Sequence, residues 1–173
     1  ALSHLAEGAT GYWMHLEKAC MASRSALLSP DAFEAMLRDG MAREASEAGT
    51  GFRFTNGKDA TAVCIPQYRK AFLRLMRMGG ALAFDGCGWG DEQVRVLAAA
   101  LVYAQANGAT SQATSLRLGA NRLTDAALPP LAEAIAAGAL PELQVLGLED
   151  NELGDAGLTT LRPLLAGRLS GLE

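Results

Sequence analysis

The sequence predicts an α/β fold: a short solenoid of parallel strands and helices over residues 82–173, preceded by an α-helical N-terminal region. Three observations carry this prediction. The apolar pattern of residues 116–135 recurs at 146–165, a third copy of it lies at 82–101, and residues 1–51 show apolar positions at helical spacing.

Each repeat can be justified position by position. Leu116, Leu118, Asn121, Leu123, Asp125, Leu128 and Leu131 return as Leu146, Leu148, Asn151, Leu153, Asp155, Leu158 and Leu161. Ile135 is answered by Leu165, and Leu82, Phe84, Cys87, Trp89, Asp91, Val94, Leu97 and Leu101 make the earlier copy. Leu-x-Leu is a short strand that points alternate side chains inward. The polar residue after it, Asn121 or Asn151, sits where the chain turns, and its amide suits backbone groups of the neighbouring coil. Stacked units would thus build an asparagine ladder, with Cys87 in that position in the first unit.

Asp125 and Asp155 fit a helix N-cap or first turn. Leu128, Leu131 and Ile135, then Leu158, Leu161 and Leu165, supply the buried helix faces, and Gly138 and Gly167 act as stop signals. Pro129 and Pro130 fall early, where a missing donor costs least, whereas Pro163 is expected to distort or shorten its helix. The extra length of the first unit is assigned to a polar loop, YAQANGATSQATS.

The strings LRLGANRLTDAALPPLAEAI and LGLEDNELGDAGLTTLRPLL resemble leucine-rich repeats of the ribonuclease-inhibitor-like class, over roughly Leu82 to Leu172. The resemblance implies strands alternating with full helices, and a protein-binding role. The repeat lengths and the shortness of the array depart from the family pattern.

Earlier in the chain, Thr10 is a cap for a helix through Tyr12, Trp13, Leu16, Cys20 and Met21. Ser29-Pro30-Asp31 starts another helix, with Phe33, Met36 and Leu37 on its buried face and Gly49 as its end. Residues 52–81 hold either a hairpin turning at Asn56-Gly57 or a worn repeat with Phe52 and Phe54 in strand positions, followed by a helix. That helix opens at Pro66 and runs to about Met78, closed by Gly79-Gly80. Tyr68, Phe72, Leu75 and Met76 form one side of it. Arg69, Lys70, Arg74 and Arg77 supply cations without an anion, a docking face for an acidic partner, RNA or anionic lipid, or a solvated face balancing the acidic repeats.

Composition narrows the function. Half the 173 residues are hydrophobic and a fifth are charged, so the chain has material for a core. The net charge of -4 conceals ten Lys/Arg against eight Asp/Glu in residues 1–80, and five against eleven in 81–173. An acidic repeat half argues against nucleic acid as its main ligand. Cys20, Cys64 and Cys87 lack a C-x-x-C pair, so reduced thiols in a reducing intracellular compartment are expected rather than a disulfide or zinc site. No apolar run is long enough to span a membrane, which leaves peripheral contact open. The start at Ala1 is read as a removed leader or an excerpt, and cytoplasm and organelle both fit.

No catalytic constellation can be assembled. His4 and His15 lack a nucleophile context, FDGCGWGDE lacks the Lys-Ser/Thr of a phosphate loop, and Glu149, Asp150, Glu152 and Asp155 lack calcium-loop order. No cofactor and no metal are expected. The outward positions of the repeat strands are Ala83 and Asp85, Arg117 and Gly119, and Gly147 and Glu149. This small-residue face would admit a partner's helix or strand, with Asp85, Arg117 and Glu149 setting polarity. The expectation is a non-catalytic scaffold, a small accessory subunit of a larger hetero-complex such as a photosynthetic or respiratory one. The alternatives are a regulator or inhibitor of a partner enzyme, or a binder of anionic surfaces through residues 66–78.

Overall fold

The computed structural model describes residues 25–47, 49–51, 62–165 and 171–172. The expected helix after Thr10, both histidines, Cys20, the Phe52 and Phe54 segment and Gly167 lie outside the described residues.

Helix α1 (Pro30–Ser46) and helix α2 (Cys64–Met76) come first. Strand β1 (Gly79–Ala83), helix α3 (Asp91–Ala106), strand β2 (Gln112–Arg117) and helix α4 (Leu128–Ala136) follow, with a 3-10 turn at Asp125–Ala127 leading into α4. Strand β3 (Val145–Gly147), helix α5 (Asp155–Leu165) and strand β4 (Gly171–Leu172) complete the order. The fold is mixed α/β, with helices and a small open sheet whose strands run parallel in the order β1-β2-β3-β4.

The sequence spacing becomes the sheet register. Leu82 pairs with Leu116, Leu116 with Leu146, and Leu146 with Leu172. Parallel pairing leaves each strand to be joined to the next by a helix, and α3, α4 and α5 pack in series along the sheet. Leu82, Leu116 and Leu146 are buried, as are Val94, Leu97 and Leu101 of α3 and Leu128, Leu131 and Ile135 of α4. They belong to one continuous core that runs from Phe72 of α2 to Leu161 of α5. Each such leucine stabilises the fold by about 1.5–3 kcal/mol relative to exposure.

The turn after each strand passes through the left-handed region at the same register position. Gly86 has φ 63°, Ala120 52° and Asp150 53°. Each sits immediately before Cys87, Asn121 or Asn151. Only the first unit uses the residue that adopts this conformation without a Cβ clash.

Several boundaries differ from expectation for local physical reasons. The basic helix begins at Cys64 rather than Pro66, because Ile65 extends its buried face and Pro66 lies in the first turn, where its missing N–H needs no acceptor. Gly79 and Gly80 are strand residues, not a helix stop. Residues 103–106 are still helical and 112–115 already form strand, so the polar loop shrinks to 107–111. Tyr103 and Ala104 pack inward from α3, and Ala113 from β2. Met36 of α1 is exposed, while Leu37 and Gly40 are buried and Phe33 and Met41 half-buried. Residues 33, 37, 40 and 41 share a stripe that Met36 misses. Ser29 caps α1 through its Oγ, which accepts the Ala32 N–H at 3.2 Å; the helix ends at Ser46, before Gly49. Pro163 does not terminate α5, which runs two residues beyond it. Gly138, at φ 85°, follows the last turn of α4, as expected of a stop signal.

Candidate protein-binding face

The face is positioned by an amide ladder beneath it. Asn121 is buried, and its Oδ1 accepts the Trp89 backbone N–H at 2.9 Å. Its Nδ2 donates to the carbonyls of Phe84 and Leu118, each at 2.9 Å, and of Gly119 at 3.1 Å. Asn151 repeats the arrangement one unit on. Its Oδ1 accepts the Leu123 N–H at 3.1 Å, and its Nδ2 donates to Leu118, Leu148 and Glu149 carbonyls. One side chain thus satisfies the turn of its own unit and of the preceding one. Cys87 makes a weaker substitute, with its Sγ 3.8 Å from the Asp85 carbonyl.

A second ladder was not legible in the sequence. Asp91 accepts the Thr124 N–H at 2.8 Å and the Thr124 hydroxyl at 2.7 Å, and Asp125 accepts the Gly154 N–H at 2.7 Å. These aspartates do lie in first helical turns, but their hydrogen bonds run to the next unit rather than capping their own helix. Thr124 takes the cap instead, with its Oγ1 accepting the Ala126 N–H. The sequence shows only that Asp91 and Asp125 occupy equivalent repeat positions, as Asn121 and Asn151 do, and not which unit their carboxylates reach.

On the outward side of the sheet the structure brings Asp85, Arg117 and Glu149 together. Arg117 Nη2 lies 2.9 Å from Asp85 Oδ2, while Asp85 Oδ1 accepts the Gly119 N–H at 3.1 Å. Asp85 is therefore held by backbone and in turn holds the guanidinium, whose side chain is still 54% exposed. Glu149 lies flat across the glycines. A Cβ added at Gly119 would sit 2.5 Å from Glu149 Oε1, and one at Gly147 would sit 3.0 Å from Glu149 Oε2 and 3.7 Å from Arg117 Cγ. Gly119 and Gly147 are buried beneath these chains. The result is a shallow polar strip over a backbone floor, bordered by Ala83 and by the exposed Val145.

The basic helix α2 is a different place. Lys70, Arg74 and Arg77 are exposed on it, and Arg77 donates through Nε and Nη2 to the Gly108 carbonyl, both at 3.3 Å. Its cations do have acidic company. Arg69 pairs with Asp31 at 3.1 Å and approaches Glu34 at 3.9 Å, both from α1. The cationic surface is thus narrower than the helix alone suggested, because an acidic neighbour distant in sequence folds against one end of it.

Cys64 and Cys87 form no disulfide, and the first is half-buried and the second buried. Among the described residues no group of three or more His, Cys, Asp or Glu side chains is placed to share a metal ion. No described helix is long and apolar enough to cross a membrane. Among the described residues, the buried Trp89 Nε1 has no hydrogen-bond partner. No protein-family model and no curated protein matches the chain.

Proposed function

We propose that the three strand–turn–helix units are leucine-rich repeats of the ribonuclease-inhibitor-like class, and that the chain is a non-catalytic scaffold, an accessory subunit that binds another protein. The observation that carries this reading is the preset strip of Asp85, Arg117 and Glu149 over a glycine floor. Binding faces gain affinity when charged anchors are ordered beforehand, because less side-chain freedom is lost on association. Arg117 is ordered by Asp85, and Asp85 by a backbone N–H. The recurring register of leucines, turn amides and left-handed turn residues supports the repeat assignment.

The test is native purification of the full chain with quantification of what co-elutes, for the unaltered chain and for Arg117→Glu and Glu149→Arg. A partner retained by the first and lost with either variant, at unchanged stability, supports the reading. A chain that elutes as a lone monomer under all conditions overturns it. An accessory role in a reducing cytoplasmic or organellar compartment belongs to the same reading, and unbridged Cys64 and Cys87 accord with it. Regulation of a partner enzyme is a version of the same contact. An anionic ligand at Lys70, Arg74 and Arg77 is disfavoured by the acidic pair that α1 sets against Arg69.

A further inference from the structure

The described residues are held by two apolar clusters of very different size. The main core contains no residue of α1. A minor cluster centres on Leu37 of α1 and Ile65 of α2, with Phe33, Met41 and Cys64 packed around it. Of the 17 residues of α1 only Pro30, Leu37 and Gly40 are buried, and glycine brings no side chain.

Among the described residues, the remaining ties of α1 to α2 are few. The Phe33 ring stacks on Tyr68 with centroids 3.9 Å apart. Arg69 meets Asp31 in a pair whose side chains are 45% and 69% exposed, so it is weak and screened by salt. Asp31 also accepts a hydrogen bond from the Tyr103 hydroxyl of α3, and the other polar bonds of α1 among the described residues stay within its own segment. Arg38 binds Glu34, the N–H groups of Gly49 and Gly51 bind the Glu44 carboxylate, and Thr50 Oγ1 binds the carbonyls of Arg43 and Glu47. The chain entering α1 is anchored instead to the main body. Ala26 and Leu27 pack on the main core, and the Leu28 carbonyl accepts from the Tyr68 hydroxyl at 2.7 Å.

We propose that α1 is a clasp that swings about Ser29–Pro30 as a unit, opening far more often than the repeat units unfold and uncovering the Ile65 and Tyr68 face of α2. Among the described residues, opening breaks one small cluster, one ring stack, the exposed contacts of Arg69 with Asp31 and Glu34, and the Asp31–Tyr103 hydrogen bond. It orphans no backbone donor of α1, because those hydrogen bonds are internal to the segment. Once undocked, a helix of this length with Gly40 in its middle is marginal in water, so its amides exchange with solvent on opening.

Hydrogen exchange of the full chain, read by mass spectrometry, tests this. The expected result is a shared opening of residues 34–46, with protection at least about tenfold below that of α3 and β2, the ratio expected of a sub-global unit. Arg69→Ala and raised salt should each speed that exchange by roughly two- to fivefold, the size expected of an exposed pair. Phe33→Ala should speed it more, and all three should leave α3 and β2 unchanged. Equal protection in α1 and α3, with both responding alike to Phe33→Ala, would show α1 to be integral to the fold and overturn the proposal. Fast exchange of α1 that Phe33→Ala does not alter would overturn it too, because nothing would then be docked to release.

Discussion

The side-chain oxygen of Asn121 accepts the backbone N–H of Trp89 across the boundary between the first and second units, at 2.9 Å and out of reach of solvent. Trp89 is fully buried, so no water replaces that acceptor. Asn121→Ala would leave the Trp89 N–H and the Phe84 carbonyl unpaired, at about 1–3 kcal/mol for each buried group. The expected loss is about 3 kcal/mol in urea unfolding. Asn151 is half-buried, and Asn151→Ala should cost about half as much. Equal and small losses for both would show that the ladder carries no stability.

Ala120 holds φ at 52°, where a Cβ crowds the following carbonyl. Gly86 occupies the equivalent position without that clash. Ala120→Gly should therefore stabilise the chain by about 0.5–1 kcal/mol, since relief of a left-handed alanine, worth about 1–2 kcal/mol, exceeds the entropy that glycine adds to the unfolded chain. Thermal unfolding measures this directly, and a lower melting temperature contradicts it.

Gly119 lies under the Glu149 carboxylate. A methyl group there collides with the far end of a flexible side chain, which moves aside at little cost. Gly119→Ala should leave stability within about 1 kcal/mol of the parent and shift Glu149 off the floor, weakening partner binding. Unchanged partner affinity in a variant that folds normally would exclude Glu149 from the contact.

The hydroxyl of Tyr103 has a pKa raised above its ordinary value of 10.0, first by burial, against which the Arg69 charge acts, and then by the charge and hydrogen bond of Asp31. The folded state thus keeps this proton where the unfolded chain has begun to release it. The stabilisation is complete below pH 10.0 and is lost as pH rises through the folded value. Stability should fall more steeply above that pH in the parent than in Tyr103→Phe. Parallel alkaline limbs in denaturant titrations would contradict the assignment.

Period and spacing by themselves determined the α/β class and the strand register. Leu82, Leu116 and Leu146 recur at fixed register, and a one-residue slip would turn each buried side chain outward. The turn amides were legible for the same reason, because Asn121 and Asn151 stand at one position in a repeated pattern. Tertiary structure decided the rest. The boundaries of α2, α3 and β2 moved because burial of Ile65, Ala104 and Ala113 overrode local turn residues. The sideways bonds of Asp91 and Asp125, the pairing of Arg69 with Asp31, and the bed of Glu149 on Gly119 join residues that are dozens of positions apart. Local pattern says which face of an element is apolar. Which polar group lies within hydrogen-bond reach depends on distances that only packing sets.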